Sequence, residues 1–199
     1  MFFKKGVKVK KIITAFLCVA FVFGLCNKNS LASDTKALVG QTAYTRSNLK
    51  ANGSTIYFHN MTNVGQRIPA GTEVVIIGAG TKYIKFNLPG GERKYKLEVR
   101  SSDYDKYFVE DVASLQIEGL NKKTKGRFVG MVPSLGMTKD EVYIIRGCPA
   151  WIGPGQKAWY YTFDQVMDSN QWYYNKNKGT GEMIVHFQND VVSEIEDLT

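Results

Sequence analysis

The sequence predicts an α+β fold in two parts: a small antiparallel β-barrel over residues 38–112, then short helices on a three-stranded antiparallel sheet over residues 128–198. Three observations carry this. Between Leu38 and Val112, short β-prone runs alternate with turns rich in Gly, Pro and Asn, the spacing of a small barrel or meander. Lys139–Arg146 carries the start and stop signals of one short helix. Glu182–Asp197 reads as two alternating strands around a polar turn.

The chain opens with MFFKKGVKVKK and the apolar run Ile12–Cys26, followed by the polar NKNSLAS. This is the order of a secretory signal, and the run is short for a membrane span, which needs about 20 apolar residues. Ser30 and Ala32 place cleavage after Ala32, so residues 1–32 are expected to be removed on export to the periplasm or cell envelope. A lipid anchor at Cys26 is the competing reading, although Leu25 is bulky where a small residue is usual. Only in that case is a membrane partner expected.

The formal net charge of +8 belongs mostly to that segment. It holds six Lys and no acid; removing those six from 26 leaves 20 basic against 18 acidic residues, about +2. Nucleic acid is therefore not an expected partner. Cys18 and Cys26 leave with the signal, and Cys148 alone cannot form an internal disulfide.

Asn52-Gly53 is the first expected hairpin turn, and Pro69-Ala70-Gly71 turns into the strand Glu73–Ile77. Gly78-Ala79-Gly80 is expected as a turn before the strand Lys82–Phe86, and Pro89-Gly90-Gly91 as a turn before Lys94–Val99. A short helix is expected between residues 100 and 120, with Val109, Val112, Leu115 and Ile117 on its apolar side. Asp103, Asp105, Glu110 and Asp111 read as a solvated acidic turn rather than a calcium loop. Residues 113–127, including the basic NKKTKGR, read as a linker.

Tyr44–Lys50 and Ile68–Val74 resemble the early strand and the Gly-Thr turn of bacterial SH3-like domains. The resemblance covers roughly residues 38–112 and implies a small β-barrel, with binding of cell wall as one family role.

Thr138 stands three residues before Glu141, the spacing of a capping box, and Met137 and Val142 are placed as a hydrophobic staple. Asp140 and Glu141 suit the positive end of the helix dipole and Arg146 the negative end. Gly147 is the expected left-handed stop and Pro149 blocks continuation. Cys148 then packs back on the last turn, onto Val142 or Tyr143, as a small hydrophobe. A nucleophilic cysteine would be favoured at the opposite end of a helix.

After the helix, a strand is expected through Trp159, Tyr160 and Tyr161, and another through Trp172-Tyr173-Tyr174. In the final hairpin a three-residue loop, Gln188-Asn189-Asp190, would set Phe187 opposite Val191, Val185 opposite Ser193 and Met183 opposite Ile195, with His186 on the other face. Gly-Met-Thr at 136–138, the capped helix, Gly147-Cys148-Pro149, Trp159-Tyr160 and Val185–Val191 together resemble the SmpA/OmlA (BamE-like) family. That resemblance covers residues 128–198 and implies short helices on a three-stranded sheet, and a role in outer-membrane protein assembly.

His59 and His186 show no metal-ligand spacing with each other or with Cys148, and are read as ordinary turn and strand residues. No catalytic residue, cofactor or metal is expected. The binding candidates are Trp151, Trp159, Tyr160, Trp172 and Tyr173, any exposed member of which would mark a contact. Trp159 and Tyr160 are expected in the core; Trp151 and Trp172 are open between core and surface. The functional expectation is a non-enzymatic envelope protein that binds another envelope protein. Two alternatives stay open: a peptidoglycan-binding module acting through the SH3-like part, and an inhibitor-like protein acting on a secreted enzyme.

Overall fold

A computed structural model describes residues 37–59, 65–115, 117, 132–177 and 180–198. The signal-like segment 1–32 and the basic stretch 121–127 lie outside them. The described residues belong to one compact unit, Leu31–Thr199. The fold is mixed α+β: a curled eight-stranded sheet, a second three-stranded sheet and a few short helices.

Eight strands build the larger sheet: β1 Thr42–Thr45, β2 Leu49–Asn52, β3 Thr55–Tyr57, β4 Gln66–Ile68, β5 Glu73–Ala79, β6 Ile84–Asn87, β7 Lys94–Glu98 and β8 Phe108–Val109. Their spatial order is β4-β2-β3-β7-β6-β5-β1-β8. Every pairing is antiparallel except β3 with β7. Alternation explains the burial: Leu49, Ala51, Ile56, Val74, Ile76, Ile84, Phe86 and Leu97 all point to the inside of the curl and are sealed from solvent. Each such Ile or Phe contributes roughly 1.5–3 kcal/mol relative to exposure.

Several turns fall where expected. Pro69–Thr72 closes with the Thr72 N–H on the Pro69 carbonyl at 3.2 Å. Gly71 takes φ 76° there, the position of a type II turn that calls for glycine. The first hairpin is shifted by one residue: Asn52 pairs with Thr55, so Gly53-Ser54 is the loop. Gly78 and Ala79 do not turn. They extend β5, with a bulge between Ile76 and Gly78, and the chain reverses after them. A bulge gives glycine a strand position.

The expected helix after residue 100 is replaced by shorter pieces. Ser101–Lys106 and Val112–Leu115 are 3-10 turns, and Val109 lies in β8 between them. Helix α1 runs Lys139–Arg146 with both capping-box bonds in place, Glu141 N–H to Thr138 Oγ1 at 3.2 Å and Thr138 N–H to Glu141 Oε2 at 2.9 Å. Met137 and Val142 are both buried. The stop differs in detail: Gly147 has φ 78° and ψ −164°, a region essentially reserved for glycine but outside the left-handed helical well.

Trp159 and Tyr160 are not on a strand. Ala158–Tyr160 is a 3-10 turn, and Phe163–Asp168 forms α2, capped by Thr162 and Gln165 as α1 is by Thr138 and Glu141. The smaller sheet has the order β11-β10-β9, with β9 Gln171–Asn177, β10 Thr180–Gln188 and β11 Val191–Asp197. Its hairpin is tighter than expected. Gln188 pairs with Val191, leaving Asn189-Asp190 as a two-residue loop. Both have positive φ, 51° and 61°, as a type I′ turn requires. A bulge at Ser193 then sets Phe187 opposite Val192, Val185 opposite Ile195 and Met183 opposite Asp197.

Helix α1 lies between the two sheets. Asn48, beside β2, accepts the Ala70 N–H at 3.0 Å and donates its amide to the Ile145 carbonyl at 3.2 Å, while its own N–H reaches the Ile144 carbonyl at 2.8 Å. Buried side chains of both sheets and of α1 form one continuous hydrophobic core, from Leu49 and Phe86 to Trp172 and Val192.

Candidate functional site

The five aromatic candidates separate cleanly. Trp172 is fully buried, its indole N–H donating to the Val166 carbonyl at 3.0 Å, and its ring packs on Phe187 and Tyr143. Trp151 and Tyr173 are half-buried and bridge each other through their backbones. Trp159 and Tyr160, expected in the core, are 41% and 67% exposed. The 3-10 turn is the reason: it buries Ala158 and leaves the next two rings outside, where a strand would have sent one of them inward.

Trp159 stands over a groove of about 650 Å³. Tyr57 and Phe58 come from the end of β3, Tyr83 from the turn before β6, and Lys96 and Glu98 from the outward side of β7. Trp159 closes it from the segment after α1, its ring 5.6 Å from that of Phe58. A volume of this size is in the range of ligand sites, which combine apolar walls with a few polar groups. Phe58 is itself fixed: the buried Tyr107 hydroxyl donates to its carbonyl at 2.8 Å.

A polar cluster holds Trp159 in place. Lys106 Nζ is buried and meets three acceptors: Asp103 Oδ1 at 3.0 Å, the Ala158 carbonyl at 3.1 Å and the Trp159 carbonyl at 3.4 Å. These use all three ammonium donors. Arg100 forks onto Asp103 at 2.9 and 3.2 Å and also donates to the Trp159 carbonyl at 2.6 Å. Burial works against the Asp103 carboxylate, but Arg100 and Lys106 outweigh it and hold its pKa below the usual value. Asp103 is therefore not part of a solvated acidic turn; it is a buried ion-pair centre. The signal available in the sequence was Lys106 three residues after Asp103, on the same side of one turn.

Cys148 is fully buried, its thiol beside the Tyr107 and Tyr143 hydroxyls and 3.5 Å from the Pro149 carbonyl. Burial pushes the thiol from 9.0 up to about 11. Its neighbours thus include Tyr143, as expected, and also Tyr107 from the larger sheet's side of the core. His59 is buried rather than exposed, with its ring 4.6 Å from Phe58. His186 is half-buried, its Nδ1 3.2 Å from the Gln171 amide. Among the described residues no group of three or more His, Cys, Asp or Glu could hold a metal ion. No described helix is long and apolar enough to cross a membrane.

No family model, curated protein or solved structure matches the chain.

Proposed function

We propose that this is an exported, non-enzymatic cell-envelope protein that binds a segment of another envelope protein in the groove under Trp159. The observation that carries the reading is an exposed tryptophan anchored from behind. Aromatic rings left in solvent at a concave apolar site are the usual anchors of recognition. Here the Trp159 backbone is tied down by Arg100 and Lys106 and its ring rests against those of Phe58 and Tyr160, which reduces the entropy it loses on binding. The sealed Cys148 thiol, raised to about 11, supports a packing role over a nucleophilic one.

The architecture is read as an SH3-like β-unit followed by an SmpA/OmlA-like α+β unit. The curled sheet through residue 109 supports the first part. The capped α1, short α2 and three-stranded sheet are what the second layout calls for. Mature export follows from the N-terminal segment, as an expectation of its signal-like order.

Site-specific photo-crosslinking tests the function. A photoreactive residue replaces Tyr83, at the groove wall, in the producing cell. The expected product is a crosslink to an envelope protein that disappears with Trp159→Ala. Crosslinks indifferent to that change, capture of peptidoglycan strands alone, or no crosslink at all would each count against protein binding.

A further inference from the structure

The groove does not end at Trp159. A smaller hollow of about 230 Å³ shares Phe58, His59 and Trp159 with it and adds Trp151 and Asn175. Two adjoining hollows that share Phe58, His59 and Trp159, with the Phe58 and Trp159 rings tilted against each other at 5.6 Å, suit an extended chain that places a side chain in each. Their exposed walls are mainly apolar, with the rings of Phe58, Tyr83, Trp151 and Trp159 among them. Apolar side chains laid against those walls would gain by leaving water.

Charge is distributed unevenly along this path. Lys96 is offset by Glu98 at 3.0 Å, and Arg100 by Asp103 at 2.9 Å. Lys82 borders only the larger hollow and Lys157 only the smaller, and both are exposed. Neither has an ion-pair partner among the described residues. The path therefore carries an uncompensated cation on each side of its aromatic centre.

We infer that the occupant is an extended polypeptide segment whose apolar or aromatic side chains fill the two hollows and whose flanking residues on both sides are acidic. This rests on the protein-binding reading and sharpens it to a ligand class. The aromatics supply affinity, and the two lysines select acidic flanks and speed association.

Fluorescence anisotropy with the mature full-length protein tests it. The probes are three fluorescein-labelled twelve-residue peptides with the same Phe- and Tyr-containing centre, flanked on both sides by two Asp, two Asn or two Lys. The Asp-flanked peptide is expected to bind tightest and the Lys-flanked weakest, with the preference fading in high salt. Trp159→Ala is expected to weaken the Asp-flanked peptide by about tenfold or more. Lys82→Glu with Lys157→Glu is expected to reverse the order of the three; both side chains are exposed, and circular dichroism checks that the fold is kept. Binding that ignores the flanks, an order that survives charge reversal, or no binding by any of the three overturns the inference. The crosslink at Tyr83 keeps the two failures apart: a captured envelope protein whose contact segment lacks flanking acids removes only the ligand class.

Discussion

At the scale of single residues, Cys148 shows how burial decides the chemistry of a group. The same thiol on a surface loop would be about half ionised near pH 8.5 and open to reagents. Here it is sealed among Tyr107, Tyr143 and the Pro149 carbonyl, and its folded value is about 11 against 9.0 ordinarily. The unfolded chain therefore loses the thiol proton first as pH rises. Stability linked to this group is intact below pH 9 and is lost between 9 and 11, on the order of 3 kcal/mol in all. The tyrosines Tyr107, Tyr143 and Tyr174, also raised by burial, act in the same direction at higher pH. Two measurements check this. Labelling by a thiol reagent at pH 8 is expected to be slow in the native protein and rapid in guanidinium. The melting temperature is expected to fall from pH 9 upward, less steeply in Cys148→Ala; rapid native labelling would contradict the burial.

At the scale of elements, local chemistry was legible wherever a few adjacent residues settle the backbone. Thr138, Glu141 and Gly147 specify α1 among themselves, and its bounds were readable to the residue. The aromatic run at 159–161 was not, because β-propensity and the caps of α2 compete there. Thr162 with Gln165 starts a helix immediately after Tyr161, which leaves no room for a strand. The final hairpin misled by one residue for a similar reason. Asn189 and Asp190 tolerate left-handed φ well enough to close a two-residue loop, and the Ser193 bulge then resets the register. That loop is testable. Asn189→Val places a β-branched side chain at φ 51° and is expected to cost about 1–2 kcal/mol. Urea denaturation measures it, and a cost near zero would argue against the type I′ turn.

At the scale of the whole molecule, the groove exists only because residues far apart in sequence meet. Phe58, Tyr83 and Trp159 come from three separate regions, and no local pattern announces that they converge. The polar cluster is the joint that makes them converge: Arg100 and Lys106, beside the larger sheet, hold the carbonyls of Ala158 and Trp159 after α1. A buried pair of this kind costs desolvation, so its net worth to stability is small while both partners remain. Removing one partner is different. Asp103→Ala leaves the Lys106 ammonium, with 3% side-chain exposure, beside carbonyls alone. It is expected to destabilise by roughly 3–5 kcal/mol, whereas Asp103→Leu with Lys106→Met recovers much of that loss. The Asp103 carboxyl is held below its usual value, so stability it contributes is present above about pH 4 and lost as pH falls through the folded value. The double variant, which lacks that carboxyl, is therefore expected to lose less stability than the native protein as pH falls below about 4. It should still bind peptide more weakly than the native protein, because nothing but Arg100 then restrains the Trp159 carbonyl. Equilibrium unfolding across pH 2 to 7, read beside peptide anisotropy, separates the two effects. A double variant that keeps full affinity would mean that the cluster fastens the fold without positioning the tryptophan.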